Sequence, residues 1–79
     1  MKDSNKPIKR FRLGLVVAGV FANEHEGSTF HNVSVSRLYK PDREADWKRS
    51  HSFGRDDLPK VMEVSRQAWT WIHEREQVA

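Results

Sequence analysis

Cysteine is absent from these 79 residues, which removes disulfides and thiolate zinc sites as staples for a small fold. Glycine is scarce, and the four glycines, at 14, 19, 27 and 54, follow neither P-loop nor dinucleotide-binding spacing. Nucleotide-hydrolysing and dehydrogenase activities are excluded on that ground. The longest apolar run, Leu13 to Ala22, is too short to span a bilayer. Basic residues precede it, as in a signal peptide, but no small-x-small cleavage site comes before a mature region. Ala18, Gly19 and Ala22 fall inside the run itself, and cleavage there would consume a strand. A cytoplasmic protein with no membrane partner is expected.

Catalytic and metal-binding patterns are equally thin. The four histidines show no ligand spacing, and Glu24-His25-Glu26 with His31 places no three ligands on a rigid element. Ser50-His51-Ser52 with Asp56 and Asp57 nearby has the ingredients of a nucleophile, base and orienting acid. Adjacent strand residues point to opposite faces, however, so Ser50 and His51 do not meet. The expectation is a non-enzyme with no metal, cofactor or small-molecule substrate.

What the chain does have is basic charge, unevenly placed. Lysine and arginine number 14 against 11 acids, a formal charge of +3, which favours polyanions. Before Glu24 stand Lys2, Lys6, Lys9, Arg10 and Arg12 against the single acid Asp3. Aromatic and basic residues also interleave across 30 to 53, with Arg37, Tyr39, Lys40, Arg43, Trp47, Lys48 and Arg49 around one polar loop. Rings and cations on a sheet edge suit unpaired nucleic acid, because bases stack on the rings while phosphates meet the charges.

Periodicity sets the architecture. Residues 1 to 8 read as a flexible basic tail and 9 to 76 as one domain. Residues 10 to 23 read as a long strand, or two strands bent about Gly14, with Val16, Ala18 and Val20 on one face and Val17, Gly19 and Phe21 on the other. EHEGS is a turn, Thr29 to Lys40 a strand with Val33 and Val35 inward, and PDREAD a loop. Trp47 to Phe53 reads as a further strand. From about Asp56 to Glu74 the period becomes helical, with Asp56, Asp57 and Pro59 suited to its start.

Leu58, Val61, Met62, Val64, Ala68, Trp69, Trp71 and Ile72 spread over about half the helix circumference, wider than the ~100° stripe that covers one sheet face. Either the helix sinks deeply into its own sheet, or one flank packs on the sheet and the other on a second subunit. Val64, Ala68 and Trp71 are the residues assigned to that subunit interface. A chain this short buries only about 60% of its unfolded surface, so a homodimer is the expected aid to stability.

A long bent strand, strands through VSVSRLYK and WKRSHSF, and one C-terminal helix together resemble the single-strand DNA-binding domain of the positive cofactor four transcriptional coactivators and its small bacterial relatives. The resemblance covers about residues 9 to 73. It implies an α+β fold, a curved antiparallel sheet of about four strands followed by one C-terminal helix, assembled as a homodimer. It also implies binding of single-stranded DNA with little sequence preference, in transcription or in DNA replication and repair. Tyr39 falls near the family's aromatic before the loop, and Lys48 and Arg49 fall on its basic third-strand positions.

Taken together, Phe21, Tyr39 and Trp47 are expected to stack bases, and Arg12, Arg37, Lys40, Lys48 and Arg49 to hold phosphates. The alternative is a protein–protein adaptor that uses its exposed aromatic residues.

Overall fold

The computed structural model describes residues 6–76. The chain is α+β, a four-stranded antiparallel sheet in the order β1-β2-β3-β4 that does not close, followed by one C-terminal helix. The strands are β1 (Lys9–Leu13), β2 (Val16–His25), β3 (Ser28–Tyr39) and β4 (Lys48–Ser50). A 3₁₀ turn, Arg55–Asp57, leads into the helix α1 (Leu58–Glu76).

Two tight turns set the register. Leu13 pairs with Val16 across Gly14-Leu15, where Gly14 has φ +61° and Leu15 has no positive φ. That is the type II′ hairpin pattern, which favours glycine at its first central position. His25 pairs with Ser28 across Glu26 and Gly27, whose φ values are 53° and 83°. Both central residues are left-handed, as a type I′ turn requires, although glutamate carries a steric cost there that glycine or asparagine avoids.

The expected bend at Gly14 is therefore a complete reversal, which splits residues 10 to 23 into two paired strands. The flexible tail expected over 1 to 8 lies outside the described residues in its first five positions. From Lys6 onward the chain joins the sheet: the Ile8 amide donates to the Val20 carbonyl at 2.7 Å, and Pro7 lies over Gly19, whose missing Cβ would sit 3.4 Å from Pro7 Cβ.

The core lies between the helix and one face of β1–β3. Val16, Ala18 and Val20 alternate toward the helix and meet Val64 and Ala68, all five buried. Phe11, Val35, Val61, Trp71 and Ile72 seal the margin. Small residues on both partners, Ala18 and Ala68, let the helix backbone approach the sheet. Each fully buried valine contributes about 1.5–3 kcal/mol, so three of them, Val16, Val20 and Val64, weigh heavily in so small a domain.

The helix start is fixed by Asp57, whose carboxylate accepts the Gly54 amide at 2.9 Å while its own amide donates to the Gly54 carbonyl at 3.0 Å. On the outer surface Glu63 accepts from Arg66 at 2.8 and 3.1 Å and from Gln67 at 2.7 Å. The Arg66 guanidinium, and then the Gln67 amide, pull the Glu63 carboxyl from its ordinary 4.5 down to about 2. No helix among the described residues is long and apolar enough to cross a membrane.

The subunit interface read from sequence needs correction. Val64 and Ala68 are buried against their own sheet, so they present no surface to a partner. Trp71 is half-buried at the core margin, edge-on to His31 with ring centroids 6.1 Å apart and the Arg75 guanidinium 3.8 Å from its centroid. The apolar flank left exposed is Leu58, Met62 and Trp69. Period alone gives the width of a stripe; the rotation of the helix on the sheet decides which edge of it is covered.

Candidate nucleic-acid interface

Strand alternation carries each residue of the sheet to one of two faces. Opposite the helix lie the cross-strand rows Arg10–Gly19–Ser34 and Arg12–Val17–Ser36, with the pairs Phe21–Asn32 and Leu38–Arg49 beyond them. Three arginines thus stand on the open face. Glu24 is the single carboxylate in the four strands, and its register places it on the helix side. The other described acids belong to the turns, the 40–47 connection, the 3₁₀ turn and the helix. The strand cations divide between the faces, Lys9, Arg37 and Lys48 on the helix side and Arg10, Arg12 and Arg49 on the open side, but only the open side has no strand carboxylate.

The middle of the open face is a hollow of about 310 Å³. Gly19, Val17 and Ser34 form its floor, Pro7 and Phe21 its apolar walls, and Lys6, Arg10, Arg49 and His51 its polar rim. Gly19 keeps the floor low: a Cβ there would lie 3.4 Å from Pro7 and 3.5 Å from the Phe21 ring.

Two rim groups are held by hydrogen bonds. Arg49 Nη1 donates to the buried Ser36 hydroxyl at 3.0 Å, which fixes the guanidinium against the sheet while its other donors remain. His51 Nδ1 lies 3.1 Å from the Val35 carbonyl. A carbonyl only accepts, so Nδ1 carries the hydrogen and Nε2 is the acceptor of the neutral ring. Arg12 Nε donates to the Gly14 carbonyl at 2.8 Å, which ties that side chain to the first hairpin.

The residues singled out from sequence do not all share this face. Arg12, Phe21 and Arg49 do. Arg37, Tyr39 and Lys48 have the opposite parity and lie on the helix side of the sheet. There Arg37 Nε is buried 3.4 Å from the Asp57 carboxylate without an aligned hydrogen bond, and its guanidinium carbon is 5.8 Å from the Tyr39 ring centroid. Arg37 thereby ties β3 to the start of the helix. Lys40 and Trp47 flank the connection between β3 and β4, with Lys40 Nζ 5.3 Å from the Trp47 ring centroid and Trp47 exposed.

Arg10, Phe30 and His51 belong to the open face although sequence reading passed over them. The signals were present for two of them. Arg10 has the parity of Arg12, and Phe30, exposed and paired with Asn23, is a diagonal cross-strand neighbour of Phe21. No group of three or more metal-ligating side chains is clustered among the described residues. No family model, curated protein or solved structure matches the chain.

Proposed function

We propose that this protein binds single-stranded nucleic acid, without catalysis, on the open face of its sheet. The observation that carries the reading is the face itself, where Arg10 and Arg49 line the Phe21 hollow, Arg12 shares the face, and no strand carboxylate is present. Phosphates meet the arginines, and bases stack on Phe21 and Phe30 and on the exposed Trp47 just before β4. Each stacked base contributes about 1–3 kcal/mol. Each phosphate neutralised adds about 0.7 to the salt slope of single-strand binding, so three arginines imply a slope near 2.

Neither contact identifies a base, so sequence preference is weak. A duplex hides its ring faces in the stack and leaves only the charges to bind. DNA and RNA both satisfy this chemistry. The sequence resemblance attaches the activity to transcription or DNA maintenance, with a homodimer as the working form.

The test is fluorescence anisotropy of a labelled oligothymidine across a salt series. Binding that weakens steeply with salt is expected, and absence of binding in low salt overturns the reading. A second reading, a protein–protein adaptor, is favoured by the exposed Leu58, Met62 and Trp69 on the helix. An adaptor would bind its partner through that flank with little dependence on salt.

A further inference from the structure

Three cationic side chains line the hollow on the open face, and each comes from a different segment: Lys6 from the leader, Arg10 from β1 and Arg49 from β4. No carboxylate lines it with them. Arg10 and Arg49 form no ion pair among the described residues. Arginine and lysine donate hydrogen bonds and accept none. Like charges that share one hollow repel each other, and a bound anion relieves that repulsion.

The fold also closes the hollow on one side. The chain approaches β1 past Ile8, whose amide donates to the Val20 carbonyl at 2.7 Å. Pro7 then stands over Gly19, next to the Phe21 ring. A flat cationic groove lets a strand run through, whereas this hollow has a wall of leader and ring. Its volume, about 310 Å³, lies at the lower end of the ~300–1,000 Å³ of small-ligand sites. That is room for one nucleotide unit and not for several.

We propose, resting on the nucleic-acid reading of this face, that the hollow holds the terminal phosphate monoester of a nucleotide, with its base against Phe21. A phosphodiester inside a strand carries one negative charge and two free oxygens. A terminal monoester carries about two charges at neutral pH and three acceptor oxygens. Only the terminal group matches both arginines at once, each through paired N–H donors, with Lys6 beside them. Arg49 is already held by Ser36 at 3.0 Å, so little of its freedom is lost on binding. Stacking on Phe21 then favours a nucleotide over bare phosphate. A strand end and a free nucleotide both carry this chemistry.

The experiment is fluorescence anisotropy of the full chain with internally labelled oligothymidines that carry a phosphate at the 5′ end, at the 3′ end, or at neither. Expected is binding about ten-fold tighter for a phosphorylated end than for the hydroxyl-ended strand, the value of one further charge-assisted hydrogen bond at an exposed site. Equal affinities for all three strands overturn the proposal.

Two variants locate the phosphate. Arg10 is exposed and outside every ion pair, so Arg10→Ala keeps the fold and should reduce the affinity ratio to near one. Gly19→Ala sets a methyl on the floor at ordinary contact distances of 3.4 Å from Pro7 and 3.5 Å from Phe21, and should lower the ratio by filling the hollow. Arg12 is tied to the Gly14 carbonyl and does not line the hollow. Arg12→Ala should therefore weaken all three strands and keep the ratio. A ratio that survives both Arg10→Ala and Gly19→Ala, or that Arg12→Ala removes, overturns the proposal.

Competition identifies the source of the phosphate. Thymidine 5′-monophosphate that displaces as well as the phosphorylated strand marks a free nucleotide as the ligand, and weaker displacement marks a strand end; the site stands in both cases. Thymidine that competes as well as its monophosphate overturns it. Binding of the hydroxyl-ended strand scores the broader reading separately. If that strand binds and phosphate adds nothing, this proposal alone fails. If only phosphorylated ligands bind, the broader reading fails and the terminal-phosphate site stands.

Discussion

Arg49 and Arg37 are the sharpest pair of probes, because the sequence treats them alike and the fold does not. Arg49 stands on the open face with one donor on Ser36 and the rest available to a phosphate. A hydrogen bond to a charged group contributes about 1.5–3 kcal/mol when well shielded, and solvent at this exposed site reduces that to about 1. Arg49→Ala should therefore weaken oligothymidine binding about five-fold and lower the salt slope by about 0.7. It also leaves the buried Ser36 hydroxyl without its donor, at a stability cost of about 1 kcal/mol.

Arg37→Ala should do the reverse. The pair it forms with Asp57 is about two-thirds or more shielded, the two side chains being 31% and 24% exposed. Removing the arginine leaves Asp57 at the helix start without its cation, for a loss of about 1–2 kcal/mol. The salt slope should stay where it was. Anisotropy across a salt series and thermal melting on the same preparations read both effects. If Arg37→Ala flattens the slope as much as Arg49→Ala, the nucleic acid does not lie on the open face.

Val64→Ala should cost about 2–3 kcal/mol from lost burial and the cavity left behind, and a melting temperature near wild type would mean that the helix is not seated on Val16 and Val20. Glu26→Asn should raise stability by about 1 kcal/mol, because asparagine accepts the left-handed φ of 53° at lower cost; no gain in denaturant midpoint would argue against the type I′ turn. Trp47→Ala should leave the melting curve unchanged, since the ring is exposed, and weaken oligonucleotide binding by the value of one stacked base, about 1–3 kcal/mol; unchanged affinity would confine the interface to the strands. The Glu63 carboxyl sits lower in the folded chain, at about 2, than its ordinary 4.5. Its stabilising effect is therefore complete above pH 4.5 and is lost as pH falls toward 2. Glu63→Gln should make melting less sensitive to pH across that window, and an identical pH profile would mean that the Arg66 pairing does not persist in solution.

The meander and its helix were legible because two kinds of period do not overlap: Val16, Ala18 and Val20 share one face of β2 at a spacing of two, and from Leu58 the apolar spacing becomes helical. β4 was read too long. Its ladder stops at Ser50, where the Ser52 amide turns back onto the Ser50 hydroxyl at 3.1 Å and the His51 ring takes the Val35 carbonyl. Side-chain capping of this kind ends a strand without changing its composition.

The open face was half legible. Two-residue turns fix which β1, β2 and β3 residues share a side, so the separation of Arg37 and Tyr39 from Arg12 and Phe21 follows from counting across EHEGS. The separation of Lys48 from Arg49 depends on the register across 40–47, and a loop of that length sets no register by itself.

The account stands most directly on where an oligonucleotide touches the protein. Backbone amide shifts should be followed by NMR as oligothymidine is added in low salt. The account predicts movement concentrated at Gly19, Phe21, Ser34 and Arg49, with Met62 and Trp69 unmoved. Shifts confined to the helix flank, or no shifts at saturating oligonucleotide, would contradict it.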